Sequence, residues 1–579
     1  MRNISLLTGL ALVVVLLLFG LLAPHHRPPW GSAFQEFGTL FSLLFSCILL
    51  SVKHQRIHLP PMKWAVLVLI LGIGSLLATD LGNPFRLESH YLFFIYIVGI
   101  YLAVAAGASS AQHTTTANIF SLILCLAASG QIAVSLTQWV GSVTTISIDN
   151  WWSTPGSTGA RTGGNISQAN NYGTLVIWGF LSWLYLICKF EVDQNQKVLS
   201  RFTLSLVAIY FSFGLVLGQS RTSILSLMVI TVLALTQARQ FSSSVRFAWV
   251  TFLLGTVTFW YTQPVIANIW LTGEVGAEAR ALIASDLRLP LWSMFLSATS
   301  DSITHLLFGH GWGAIAATHS YVAGGNATLP DLGNTPFAHT HNIFLDVLVS
   351  FGVLGFLLLA LLIWKLSKKF FLSRADEKSF FLWAMLIALG VHANLEYPHW
   401  YGYFVWPAGF MVGLLIGPAG RVVIQRQVAL PALIVSLALV GFTFNQYLDF
   451  EKAFANYAIQ LAQKGRITDI AHGKSSLLPG LTETLDVAAI PISAQLTLED
   501  SQRLSRAAIF KPSSFNIQRA YYASAFLQDV GGYEFFSRLA CRMSGYPFAS
   551  QIHTVSLTIP VSMTRRKIGS DCNIVVAQK

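Results

Sequence analysis

Apolar residues fill the first 445 positions in long blocks separated by short polar stretches. A helix needs on the order of 20 apolar residues to cross about 30 Å of hydrocarbon, and inside lipid it satisfies its own backbone. The pattern predicts thirteen transmembrane helices, near 4–23, 34–52, 64–79, 91–107, 118–140, 172–188, 202–218, 222–237, 247–267, 343–364, 379–395, 401–417 and 428–445. The first block ends in Leu-Ala-Pro-His-His-Arg without a convincing small-residue cleavage site, so it is expected to stay as a helix. Beyond residue 445 the pattern changes. Phe450-Glu-Lys-Ala-Phe-Ala-Asn-Tyr-Ala-Ile-Gln-Leu-Ala and Ile517-Gln-Arg-Ala-Tyr-Tyr-Ala-Ser-Ala-Phe-Leu carry apolar residues at three- and four-residue spacing, which predicts solvated helices. The expected fold is an all-α polytopic membrane protein: a transmembrane domain over 1–445 with a long loop at 268–342, then a small helical domain over 446–579.

Composition narrows the picture. Only 11% of the 579 residues are charged while 54% are hydrophobic, against roughly 25% charged in an average soluble domain. With mean hydropathy at +0.59, a soluble enzyme is excluded. The formal net charge of +11 would suggest a nucleic-acid partner in a soluble chain, but here it sorts by side of the bilayer. With the N-terminus inside, sixteen Lys and Arg fall on the cytoplasmic side and six on the other before residue 446: Arg27, Arg86, Arg161, Arg221, Arg280 and Arg288. The split matches the positive-inside rule, places the long loop and the tail outside, and removes the argument for nucleic acid. Five cysteines make no disulfide framework. Cys541 and Cys572 alone lie in the tail, where oxidation is permitted; a disulfide and two free thiols both stand as readings.

Several outward-facing polar groups need a reason. In Ala338-His339-Thr340-His341-Asn342 the histidines sit at i, i+2, so they do not form the i, i+4 pair of a zinc helix, and a metal pair is the lesser reading. Asn342 can cap the helix that follows. His341 then stands beside orphan backbone N–H groups that favour a neutral imidazole, able to take a hydroxyl proton near neutral pH. A capping, interfacial histidine is the plainer alternative. Arg221, in Gly218-Gln-Ser-Arg-Thr-Ser between two spans with almost no loop, suits a phosphate ligand or snorkels to headgroups. Trp151 to Gly173, holding Arg161, Asn165 and Gln168, lacks the Gly-Lys-Ser/Thr of a phosphate loop and reads as a re-entrant segment or a surface loop. Arg288 precedes Trp292, and Phe308-Gly-His-Gly-Trp-Gly313 combines turn glycines with aromatics that rest at an interface or stack on sugars. His392 and Glu396 are expected at i, i+4 on one helix face, with Tyr397 next in sequence. Arg161, Arg221, Arg288, His341 and Glu396 share the sparsely charged outer face, which implies a cationic pocket with one base. Aspartate pairs that would hold a divalent metal are absent from the outer loops, so metal-independent chemistry without a cofactor is expected.

These motifs resemble the O-antigen ligase and polymerase superfamily of bacterial inner-membrane glycosyltransferases, and within it the PglL-type protein O-oligosaccharyltransferases. His341-Asn342 with Gly352-Val-Leu-Gly355 following matches the ligase signature. Gly164-Asn165-Ile-Ser-Gln168-Ala-Asn170 and Glu396-Tyr-Pro-His-Trp-Tyr401 are similar to the PglL-type features, while Arg221 and Arg288 match two important arginines. The resemblance covers roughly 150–415, and Asn171 stands where the family commonly has a histidine. It implies a GT-C-like membrane fold with a periplasmic C-terminal domain, in the bacterial inner membrane. The implied reaction moves an oligosaccharide from undecaprenyl pyrophosphate to a Ser or Thr hydroxyl of an exported protein such as a type IV pilin, with inversion. His341 would be the base, and Arg221 and Arg288 the pyrophosphate clamp. Arg161, Asn165, Gln168, His339, Asn342, Glu396 and Tyr397 would support them or contact sugar. An O-antigen ligase acting on the lipid A core, or an O-antigen polymerase, is the alternative. An odd helix number and no matched pair of broken helices argue against a transporter.

Overall fold

The computed structural model describes residues 20–27, 29–53, 56–59, 70, 72–73, 83–111, 113–143, 161–194, 199–270, 288–325, 337–372, 377–417, 422–464, 477–493, 495–544, 566–568 and 574–576. Most of the predicted spans 4–23 and 64–79, residues 151–160, much of the loop at 268–342, and Cys572 lie outside them.

The described chain is predominantly helical. Its apolar blocks become α1 (Ala33–Lys53), α2 (Pro84–Ser110), α3 (Thr114–Val143), α4 (Ala169–Gln194), α5 (Arg201–Leu217), α6 (Arg221–Thr236) and α7 (Ser243–Trp270). Three short helices follow, α8 (Arg288–Thr299), α9 (Ile303–Phe308) and α10 (Ile315–Gly324), then α11 (Ile343–Leu372), α12 (Glu377–Ala393), α13 (Gly402–Ile416) and α14 (Arg426–Lys464). Among the described residues six helices are long and apolar enough to cross a membrane, namely α1, α2, α3, α4, α11 and α14, and four shorter apolar helices, α5, α6, α12 and α13, accompany them. Large apolar side chains point outward, with Phe202 73%, Leu235 70% and Leu254 64% exposed. Water would penalise such a surface, and lipid does not. The protein is therefore a helical membrane protein. The tail forms α15 (Pro479–Ala489), α16 (Leu498–Phe510), α17 (Ser514–Phe526) and α18 (Val530–Ser544). Two antiparallel ladders complete the fold: β1 (Arg56–Leu59) with β2 (Val422–Gln425), and β3 (Arg566–Ile568) with β4 (Ile574–Val576).

The chain divides into two compact units. The first draws on 1–66, 96–282 and 364–441, the second on 67–95, 283–363 and 442–579. In the first unit the core is aromatic: Phe180 stacks on Phe252 with ring centroids 3.8 Å apart, and Trp178, Tyr172, Phe211 and Phe404 are fully buried. Glu36, in the first turn of α1, accepts from the Tyr96 hydroxyl (3.0 Å) and the Gly402 N–H (2.6 Å), tying together α1, α2 and the start of α13.

In the second unit the helices of 479–544 rest on the beginning of α2 and on α10. Glu88 accepts the Leu481 N–H at 2.8 Å, and Arg86 lies 5.0 Å above the Phe510 ring, which gives this arginine a structural partner. Arg538 donates to the Gly324 carbonyl (2.9 Å), and Arg542 to those of Ala323 (3.0 Å) and Gly325 (3.1 Å), so two guanidinium groups close the C-terminus of α10. Cys541 on α18 is disulfide-bonded.

Helix α11 breaks at Gly352, whose φ of 65° and ψ of −166° no residue with a side chain adopts comfortably. The break frees the carbonyls of Val349 and Ser350, which accept from the N–H groups of His310 (2.7 Å) and Gly311 (3.0 Å) in the Phe308–Gly313 turn. A Cβ on Gly352 would collide with the Leu307 carbonyl, and one on Gly309 with the backbone at Ser350 and Phe351. Gly352→Ala is therefore expected to cost roughly 3 kcal/mol or more, combining backbone strain with steric overlap. Thermal unfolding in detergent checks this, and an unchanged midpoint would contradict it.

Candidate active site

In the first unit, the polar segment 161–170 is fastened to the turn between α5 and α6. Thr162 donates its N–H to the Leu217 carbonyl at 3.1 Å, and Arg161 Nε donates to that of Gly218 at 3.1 Å. Gln219 takes a left-handed φ of 43° and donates from Nε2 to Gln263 Oε1 (3.0 Å). Ser220 caps α6 through the Ser223 N–H (3.1 Å) and donates its hydroxyl to Asn170 Oδ1 (2.7 Å). The turn thus presents Arg221, exposed, as the first residue of α6, where the helix N-terminus and the guanidinium both favour an anion.

Asn170 is the hub of this group. Its Oδ1 accepts from Ser220 and from Arg161 Nη2 (3.2 Å), and its Nδ2 donates to Glu396 Oε1 (2.9 Å). Partial burial lowers the Arg161 pKa, the Glu396 carboxylate raises it, and Arg221 lowers it again, so the two arginines and the carboxylate share one field. Arg161, Arg221 and Glu396 are thereby brought together within this unit. The expectation that His392 and Glu396 share a helix face is corrected: α12 ends at Ala393 and Glu396 lies in the bend beyond it. Both still reach α4 one turn apart, Glu396 at Asn170 and His392 Nδ1 at the Thr174 hydroxyl (2.8 Å). Tyr397 is half-buried beside Tyr401, with ring centroids 6.0 Å apart.

Asn165 is buried and faces the protein, while Gln168 is partly exposed. Asn165 gives its N–H to Gln131 Oε1 (2.7 Å) and its Nδ2 to the Leu22 carbonyl (3.1 Å), while its own carbonyl meets Gln35 Nε2 and His26. Gln168 Oε1 accepts from the Asn171 N–H at 3.3 Å. These bonds hold the segment against α1 and α3, and the amide at residue 165 is committed to Gln131 instead of to an anion.

In the second unit, Asn342 caps α11 as its position suggests, its Oδ1 accepting from the N–H groups of Phe344 (3.0 Å) and Leu345 (3.1 Å). His341 precedes it with a left-handed φ of 57°, half-buried, its ring against Phe337 at 6.2 Å. His339 is half-buried on the other side of Thr340. Arg288 opens α8, and Trp292, one turn on, donates its indole N–H to the Thr340 carbonyl at 2.9 Å. Arg288 therefore shares a helix face with the tryptophan that braces the His339–His341 turn. Sequence reasoning missed His319 on α10, whose Nδ1 accepts from the Phe337 N–H (3.2 Å) and whose ring meets Phe337 at 5.7 Å. Burial pushes its pKa down to about 4, so it is neutral and keeps that acceptor at physiological pH. Sequence reasoning also assigned no role to Asn170, Ser220 or Asp346. Asn170 and Ser220 stand within polar stretches whose neighbours drew the attention, and Asp346 is a lone acid in an apolar run.

Two family models match the chain. One, described as O-antigen ligase, covers 206–360 and so includes Arg221, Arg288 and the His339–Asn342 turn. The other, the C-terminal part of a virulence factor membrane-bound polymerase, covers 380–531 and includes Glu396 and much of the tail. Among curated proteins, a ComP-specific O-oligosaccharyltransferase of Acinetobacter baylyi is 22% identical over 422 residues, 72% of this chain and 71% of that protein. A general O-oligosaccharyltransferase of the same organism is 26% identical over 426 residues, 70% of this chain and 69% of its own. These similarities bear out the resemblance carried by the sequence motifs.

Proposed function

We propose, for a chain of the O-antigen ligase superfamily that resembles the PglL-type protein O-oligosaccharyltransferases, that it is a glycosyltransferase moving a preassembled oligosaccharide from undecaprenyl pyrophosphate to Ser or Thr hydroxyls of exported, pilin-like proteins. The reading has the active face and the tail in the periplasm and thirteen helices in the inner membrane. The observation that carries it is the exposed Arg221 guanidinium at the N-terminus of α6, with Arg161 and Glu396 in the same field. In this reading it is a membrane-level anion site, suited to a lipid-linked pyrophosphate.

In this reading the acceptor oxygen attacks the anomeric carbon while His341 takes the hydroxyl proton. The bond from that carbon to the pyrophosphate oxygen breaks, and its electron pair leaves with undecaprenyl pyrophosphate. Arg221 and Arg288 neutralise the leaving charge, the part a metal cation plays elsewhere. One displacement without a glycosyl-enzyme inverts the anomeric centre. Retention would instead need a second group acting as nucleophile. The match to the O-antigen ligase model favours a second reading, in which the acceptor is the lipid A core.

Intact-mass analysis of pilin together with a lipopolysaccharide gel separates them, comparing wild type, a deletion strain and the complemented strain. Loss of the pilin glycan with unchanged lipopolysaccharide on deletion is expected. Loss of O-antigen with intact pilin glycan would transfer the assignment to the ligase.

A further inference from the structure

Thr340, between the two histidines, is fully buried, and its backbone and hydroxyl are all engaged. The N–H and the hydroxyl both point at Asp346 Oδ1, at 2.8 and 2.5 Å, the hydroxyl also lies 2.9 Å from the Asn342 carbonyl, and the Thr340 carbonyl receives the Trp292 indole. Asp346 is 2% exposed and stands in the first turn of α11, its own N–H bonded to the Asn342 carbonyl at 2.8 Å. A carboxylate there would ordinarily be explained by capping or by the helix dipole. Asn342 already caps the helix, and Asp346 reaches past it to the residue before His341. The turn so closed is the one in which His341 takes a left-handed backbone, a conformation costing about 1–2 kcal/mol for a residue with a Cβ and held only where its surroundings impose it.

We infer that Asp346, through Thr340, is the positioning residue that sets His341 at the mouth of α11 and acts on the reaction only through His341. The inference rests on the reading of His341 as the base. A general base must come within about 3 Å of the proton it abstracts, and a displacement of about 1 Å can cost on the order of 100-fold in rate.

The test uses the full-length enzyme in nanodiscs, with a lipid-linked oligosaccharide donor and a purified acceptor protein. Asp346→Ala is expected to lower kcat about 100-fold with KM for donor and acceptor within about twofold. Asp346→Asn keeps an acceptor oxygen in place and should recover to within about fivefold of wild type, since the hydrogen bonds from Thr340 remain possible. In a His341→Ala background, Asp346→Ala should change the residual rate less than about twofold, because a residue acting through another loses its effect when that one is gone. Equal losses in the Ala and Asn variants, a rise in KM instead of a fall in kcat, or a further drop in the double variant would each overturn the inference. If Asp346→Ala does not accumulate in membranes, Thr340→Val against Thr340→Ser poses the same question at the other end of the bond: the valine should be slow, the serine near wild type, and equal rates would count against it. Failure of the underlying reading is distinguishable, since His341→Ala would then itself stay active.

Discussion

His341→Ala is expected to lower transfer by about 10²–10⁴-fold, the range a positioned general base contributes, in protein that still inserts and accumulates. The expectation comes from where the imidazole stands: directly before the Asn342 cap, at the N-terminal end of α11, with Phe337 against its ring. Its left-handed backbone supplies a control that alanine lacks. Asparagine tolerates that conformation better than most residues, so His341→Asn separates the loss of a base from the loss of the turn. Both variants should be equally inactive when single-turnover transfer to an acceptor protein is followed. An active His341→Asn would show that the turn's shape matters and that the proton goes elsewhere.

Arg221→Ala should be nearly as severe. Removing a donor aimed at developing charge costs about 10²–10³ in kcat, and here the charge belongs to a departing pyrophosphate. Because the turn before α6 is held by Thr162, Arg161 and Asn170, removing the Arg221 side chain leaves those hydrogen bonds in place, and the fold should survive. Arg221→Lys is expected to recover little, since an ammonium lacks the planar fork that engages two phosphate oxygens. Steady-state transfer rates with the lipid-linked donor, measured with and without excess chelator, provide the check. Retained activity in Arg221→Ala would remove this arginine from the site. A wild-type rate that collapses in chelator and returns with a divalent cation would assign the countercharge to a metal.

The spans were the legible part of the fold. The helix predicted at 34–52 occupies Ala33–Lys53 and that at 118–140 occupies Thr114–Val143, because an uninterrupted apolar run long enough for lipid has few other options. The ends followed local chemistry, as with Asn342 capping α11 and Ser220 capping α6. What the sequence could not convey is rotation about each axis. Spans apolar on every face carry no amphipathic stripe, so nothing indicates which polar residue looks inward at which neighbour. Asn170 and Glu396 meet across 226 positions, and Glu36 and Gly402 across 366; neither pairing leaves a local signal. The same blindness left Asn165 open as either a support or a sugar contact, and its bonds to Gln131 and Leu22 are those of a support. Asp346 was hidden for another reason. One acid in the first turn of a helix looks like ordinary dipole compensation until the bond to Thr340 is seen.

The two guanidinium caps on α10 constrain how this protein can be recombined. Arg538 and Arg542 lie more than two hundred positions beyond the carbonyls they bind, yet the helix they close carries His319, which holds Phe337 beside His341. A chimaera that grafts a relative's tail after the last membrane helix would strip α10 of its caps unless the donor tail brings equivalent arginines. The natural breakpoint for exchange is a pair of cuts, moving residues 315–325 and the tail together as one inherited piece.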